Sequence, residues 1–437
     1  MSIDNSELLM LLGGKKEVES TIGIAGQQGF GVGIYGGDPA DLTAMGLAPM
    51  EDCENPNSDN YGNYIHTNGS VMVFIPAFAI RIGDASAPLY FKYGADTIEI
   101  GDVELNGKDG WAIPRGFYDG GKLHQGFFID KYLCSKDPTG NWAISTFLSD
   151  PISLTVGFDA RMKRRAPEKV PNEPSSTMPN CYGEVSDAIT LSRARGGHYA
   201  LVSCYQWAVI SIVTQAHAQA ATSVESCAWY DAAGVTNYPK GNNANTTSLY
   251  KDVDDKSILF NTTAYYPVYS KAGAGVPVEK TTHNGQKSGI TDVNGNKWQP
   301  VLGLLNPTST TFKAAKLSVK MHDFTEGNRR DNTLFDQYSV YGFSSGEWHY
   351  WSSPALFSTN SKHFPLCGVI PCTPTTSSAS TEDFGKDGFY MDNKEDSVLL
   401  VAGHYKDVSN AGVWCRYTRD WTSSDTSYGF RVAGYPP

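Results

Sequence analysis

Apolar positions in this chain fall mostly into short blocks with the signature of strands. Residues 70–83 are rich in β-branched and aromatic side chains and are broken at Pro76. Residues 89–100 add a second strand-like stretch. Residues 126–132 (GFFIDKY) read as a buried strand with a polar exit, residues 315–321 as a further strand-like run, and residues 397–403 (SVLLVAG) as a short buried strand. Helical spacing is clearest over residues 184–219. Val185, Ala188, Ile189 and Ser192 predict a short helix ending at Gly196-Gly197. A second helix starts on the capping box Ser203-Cys204-Tyr205-Gln206, with Trp207, Ile210, Val213 and Ala216 on its apolar side. Asn294-Gly295 marks a tight turn running into Trp298, residues 271–275 read as a loop, and Trp348, Tyr350 and Trp351 form an aromatic knot.

Two stretches depart from this pattern. Residues 403–437 pack aromatic, amide and charged side chains with no evident helical or strand period. His404, Tyr405, Asp407, Asn410, Trp414, Arg416, Tyr417, Arg419, Asp420, Trp421 and Tyr428 are the candidate ligand-binding residues, held out by a rigid scaffold. Residues 429–433 (GFRVA) then dock as a final strand. At the other end, residues 1–65 combine an apolar block, residues 8–12, with a glycine-rich run, residues 29–37. Gly31, Gly33 and Gly36 have the G-x-G-x-x-G spacing, but Gly37-Asp38-Pro39 breaks any helix there and no βαβ alternation follows, so a dinucleotide loop is excluded. The run reads as an arm that packs on a partner. The expected division is an attachment arm or small domain over residues 1–65 and a main domain over residues 66–437.

Composition narrows the function classes. Charged residues are only 19% while aromatics reach 12%, which favours a loop-rich fold stiffened by aromatic packing. The net charge of −11 and a single dense basic run, residues 161–165, argue against nucleic-acid binding. No run reaches membrane-spanning length, and the apolar block at residues 8–12 follows Asp4 and Glu7 rather than cations, so it is a poor signal peptide. Synthesis in a cytoplasm is expected, with export on a particle. The eight cysteines include no Cys-x-x-Cys pair, leaving both disulfides and buried thiols open. His283, His322, His349, His363 and His404 are scattered and read as satisfied surface histidines.

Four blocks in order resemble the formylglycine-generating-enzyme-like (sulfatase-modifying-factor) family. Residues 72–83 are similar to its opening Met-Val-aromatic-Ile-Pro run, residues 126–132 to its GFxIDKYEVT strand, residues 200–207 to the start of its RLPTEAEWEYA helix, and residues 289–298 to its GLYDLxGNVWEW turn. The closing Gly429-Phe430-Arg431 is similar to the family's end. The resemblance implies an α+β, loop-rich, C-type-lectin-like domain with an N-terminal extension and long insertions near residues 230–290 and 305–390. Enzymes of the family bind copper through two close cysteines in the last stretch, where this chain has Cys415 alone. The family's structural calcium turn keeps only Asp292 as a charged ligand, with Gln299 in the place of an acidic residue. No cofactor is therefore expected, a structural calcium being the one exception left open. The layout is similar to phage receptor-binding proteins of the tropism-determinant type. It implies a non-catalytic tail or fibre adhesin in a virion, binding a host cell-surface glycan or protein. It also implies contact with other tail proteins through the N-terminal region, a homotrimer, and neither nucleic-acid binding nor membrane insertion. Two alternatives are a structural decoration or baseplate protein and a formylglycine-generating oxidase using Cys415.

Overall fold

The computed structural model describes residues 22–136, 143–154, 181–182, 185–230, 251–252, 255–262, 270–308, 310–340, 343–351, 356–375, 387–392, 397–404, 407 and 410–437. It is sheet-rich, with few helices and long connecting loops. Twelve strands build its two largest sheets. In chain order these are β1 (Leu47–Pro49), β2 (Asn63–His66), β3 (Val71–Pro76), β4 (Gly126–Asp130), β5 (Tyr199–Leu201), β6 (Gln299–Val301), β7 (Trp348–Trp351), β8 (Pro374–Thr375), β9 (Gly388–Tyr390), β10 (Ser397–Val401), β11 (Arg416–Asp420) and β12 (Val432–Gly434).

The first sheet has the order β1-β2-β3-β4-β12-β5, antiparallel throughout. Its middle strands β3 and β4 are continuous apolar runs because both faces are covered. The expected closing strand is β12, which pairs with β4 on one side and β5 on the other. The second sheet has the order β6-β10-β11-β9-β7-β8, with β9 and β11 parallel and the other neighbours antiparallel. Residues 348–351 and 388–390, expected to lie in an insertion, are interior strands of this sheet rather than appendages.

Three helices matter here: α1 (Pro39–Met45), α2 (Asp187–Arg193) and α3 (Cys204–Ala220). The capping box at α3 forms as expected. Gln206 N–H donates to Ser203 Oγ at 3.1 Å, and Ser203 N–H donates to Gln206 Oε1 at 2.9 Å. Every side chain from Cys204 to Gln219 is buried, so α3 is a core spine rather than an amphipathic surface helix. No helix forms on the glycine run, as expected, and a short one starts just after it: Asp38 caps Ala40 N–H at 2.9 Å and Pro39 takes the first helical turn, where its missing N–H costs nothing. One sequence expectation inverts. Residues 271–275 are not a loop but part of the strand Ser270–Val276. The strand expected at residues 315–321 is instead a three-stranded sheet, Leu304–Thr308, Thr311–Ala315 and Phe335–Ser339.

The division at residue 65 does not follow the packing. β1 and β2 belong to the first sheet, and Phe30 and Val32 are fully buried in the common core. The glycine-rich run packs on its own chain. Gly29 N–H donates to Gln286 Oε1 at 2.8 Å, and Asn284 Nδ2 donates to the Phe30 carbonyl at 2.9 Å. Gly31, at φ 87°, leaves no room for a Cβ, which would stand 3.0 Å from Val213. Two histidines complete the clasp in the same protonation state. His217 accepts Gly26 N–H on Nδ1 at 3.0 Å and donates from Nε2 to the Ser226 carbonyl at 3.1 Å. His283 accepts Ile290 N–H on Nδ1 at 3.0 Å and donates from Nε2 to the Gly31 carbonyl at 3.0 Å. Both rings are buried and must be neutral to make these bonds, so His283 is no surface histidine, and neither is His349.

Arg431 joins these parts. It is fully buried. Nε donates to Gln299 Oε1 at 2.8 Å, Nη1 to the Asp130 and Lys131 carbonyls at 3.0 and 2.9 Å, and Nη2 to the Thr291 carbonyl. The Asp130 carboxylate receives Val432 N–H at 2.9 Å and pairs with the buried guanidinium of Arg195. Removing one member strands the others without water, so Arg431→Met is expected to cost about 3–5 kcal/mol, read as a fall in the urea midpoint. A loss within about 0.5 kcal/mol would show that the network is not a keystone.

The clasp sets a pH response. Burial lowers both His217 and His283 from an ordinary 6.5 to about 4. Between these values the unfolded chain binds more protons than the folded one, so this stability is full above pH 6.5 and is lost as pH falls towards 4. Urea melts should lose about 2 kcal/mol per ring between pH 7 and pH 5, where most carboxylates stay ionised. A flat profile over that window would exclude the neutral clasp.

Candidate recognition cleft

The strand β11 explains the mixed composition of the chain's last stretch. Its side chains alternate: Arg416 and Thr418 point inward and are buried, while Tyr417 and Arg419 point outward. A strand period does run through this segment, contrary to the sequence reading. The same rule splits the aromatic knot on β7, where Trp348 and Tyr350 face outward and His349 and Trp351 inward.

The outward residues meet across the sheet. Trp348 stands directly opposite Tyr390, and Tyr390 opposite Tyr417, so strand register sets the spacing of all three. Their ring centroids are 5.3 and 5.0 Å apart. Trp298 stacks on Tyr417 at 5.5 Å and 30°, and His404 on Trp298 at 6.1 Å and 26°. The tight turn expected at Asn294-Gly295 delivers Trp298. Asp292 and Asn296 adopt positive φ of 53° and 102°, and Trp298 is pinned by exchange with the next-to-last segment. Trp298 N–H donates to the Ser427 carbonyl at 2.9 Å, and Gly429 N–H to the Trp298 carbonyl at 2.8 Å. His404 arrives by a sharp exit from β10, where Ala402 and Gly403 have φ of 75° and 78°; a Cβ on Gly403 would stand 2.8 Å from Ala411.

These rings wall a cleft of about 300 Å³ that also admits Asp407, Arg419, Asp425 and Tyr428. Arg419 Nη1 donates to the Tyr417 hydroxyl at 3.1 Å, and its guanidinium lies 3.4 Å from the Asp392 carboxylate. Burial works against the Arg419 charge, but Tyr417, Tyr428 and Asp392 outweigh it and hold its pKa above the ordinary value. Burial pushes the Tyr417 hydroxyl up and that of Tyr428 up to about 12, so both stay protonated donors. Asp407 receives the His404 backbone N–H at 2.7 Å and the His404 ring at Nδ1. Asp425 receives Ser427 N–H at 2.8 Å.

The candidate residues therefore separate. His404, Asp407, Tyr417, Arg419 and Tyr428 line the cleft. Asn410 and Asp420 are half-buried and do not line it, and Tyr405 lies outside the described residues. Trp414, Arg416 and Trp421 belong to the core and cannot meet a ligand as folded. Trp414 packs on Trp351 at 4.6 Å, and the Arg416 guanidinium lies over both rings at 5.6 and 5.8 Å. Arg416 also donates to the Val413 and Gly368 carbonyls at 2.7 and 2.9 Å, which compensates a burial that lowers its pKa. The sequence reading missed Trp298, Trp348 and Tyr390 as site residues. The outward half of the β7 alternation carries the signal for Trp348.

Cys415 and Asp292, the thiol and metal candidates, lie in the interior. Cys415 is fully buried. Asp292 accepts Gly273 N–H at 2.8 Å and lies 3.9 Å from Arg431, so its single carboxylate is already matched to a cation. That arrangement does not fit calcium, which prefers several anionic oxygens. Among the described residues no group of three His, Cys, Asp or Glu side chains is placed to hold a metal.

No family model matches the chain, and no curated protein matches it. Among solved structures it is similar to PvdO from Pseudomonas aeruginosa, at 10% identity and a TM-score of 0.25, covering 84% of this chain and 95% of that one. It is also similar to the U1 variant of a Major Tropism Determinant, at 10% identity and a TM-score of 0.27, covering 84% of this chain and 63% of that one. Likenesses at such TM-scores carry no inference about function, which rests on the cleft itself.

The core placement has a direct test. Trp414→Ala and Trp421→Ala should each cost about 3–5 kcal/mol, whereas Arg419→Ala should stay within about 0.5 kcal/mol in the same denaturant titration. Equal effects at all three positions would contradict this sorting.

Proposed function

We propose that the protein is a non-catalytic receptor-binding protein on a C-type-lectin-like scaffold, engaging a cell-surface ligand in the cleft of Tyr417 and Arg419. The observation that carries this reading is the row of aromatic rings fixed by strand register and edged by charged side chains. Such a surface combines large contact area with little side-chain freedom to lose, the chemistry of recognition sites. The burial of Cys415 favours recognition over thiol oxidation.

A phage tail or fibre is the setting proposed for it. That part rests on the order of the four sequence blocks and on the layout of the last stretch before Gly429-Phe430-Arg431. Assembly in a host cytoplasm, contact with other tail proteins through the N-terminal region and a homotrimeric state belong to the same proposal.

The test is binding of the labelled full chain to a panel of bacterial strains by flow cytometry. The wild type should mark a subset of strains, and Tyr417→Ala and Arg419→Ala should each cut the bound protein about tenfold or more at unchanged melting temperature. Binding that survives both substitutions removes the cleft as the recognition site.

A further inference from the structure

The recognition reading leaves the ligand's chemistry open, and resting on that reading the geometry points to a neutral oligosaccharide laid along the aromatic row. The first reason is shape. Trp348, Tyr390 and Tyr417 follow one another at 5.3 and 5.0 Å, with interplanar angles of 66° and 45°, and the buried Trp298 backs Tyr417 at 5.5 Å. Strand register sets the three half-exposed rings in a row across neighbouring strands along one side of the cleft. A single quaternary ammonium needs rings that face a common centre; a strip suits a ligand that repeats. The step between rings is inherited from the spacing of neighbouring strands, and it is comparable to the advance of a glycan chain per pyranose. The C–H face of a pyranose is apolar and stacks on such rings.

The second reason is the polar edge. Arg419 and the carboxylates of Asp407 and Asp425 are planar groups with paired donors or acceptors, suited to the adjacent hydroxyls of a sugar. The third reason is charge. The Arg419 guanidinium is already matched by Asp392. An acidic glycan would therefore meet Asp425, and Asp407 beside its partner His404, in a chain of net charge −11. The fourth reason disfavours an extended peptide. β11 is hydrogen-bonded to β10 and β9, and β9 to β11 and β7, so the row lies on a sheet face with no open edge on which a peptide strand could pair.

The experiment is a printed array of neutral, acetamido, sulfated and sialylated oligosaccharides probed with the full chain, followed by calorimetric titration of the best-retained glycan. Retention should be confined to neutral and acetamido chains of trisaccharide length or more. Tyr390→Ala and Tyr417→Ala should each weaken binding about tenfold, Tyr417→Phe should preserve most of it, and Ile65→Ala, an exposed change on the other large sheet, should leave it unchanged. Retention of acidic glycans alone, or of none, overturns the inference. If none is retained while cells are still captured by the wild type and not by Tyr417→Ala, the ligand is of another class and the recognition reading stands. Cell capture that survives Tyr417→Ala defeats the recognition reading itself.

Discussion

The buried guanidinium of Arg431 holds together segments that are far apart in the chain. Four of its donors reach the exit of β4, the turn that begins at Thr291 and the side chain that opens β6. Burying a charge is costly unless every donor is used, and here the protein uses carbonyl oxygens that could not otherwise meet water. The neighbouring pair of Asp130 and Arg195 adds a second fixed charge couple and takes up the amide of Val432. Because each group satisfies another, the network has one geometry.

That geometry also positions the cleft. Trp298 lies on the strip of chain between Asp292 and Gln299, both tied to Arg431, and Tyr428 lies three residues before it. The backbone exchange between Trp298 and Gly429 welds the two approaches. On the other wall, register across β7, β9 and β11 aligns Trp348, Tyr390 and Tyr417. One wall is thus fixed by strand register and the other by a turn welded to the closing segment, so the rings are held in place before anything binds.

Much of this was legible in residues. The capping box of α3, the strand β4 and the docking of the last strand follow from local pattern and were read directly. What the sequence reading lost was direction. Trp414 and Trp421 look as suitable for binding as Tyr417, and only the alternation along β11, together with the partners beneath it, sends Arg416 into the core and Arg419 to the surface. The glycine run was misread for a related reason. Glycine signals close approach of backbone, but not whose: the partner turned out to be α3 and the turn at His283.

The place of β12 carries a consequence for manipulation of the molecule. It fills a gap between β4 and β5, strands that do not otherwise touch in the sheet. A chain cut before residue 430 would lose both this strand and Arg431, leaving β4 and β5 with rows of unpaired backbone groups that only an incoming segment could complete. The slot is selective as well as open, because only a strand led in by an arginine can also satisfy the carbonyls of Asp130, Lys131 and Thr291. A short synthetic strand could then act as a removable key, turning a fixed scaffold into one assembled on demand from two pieces.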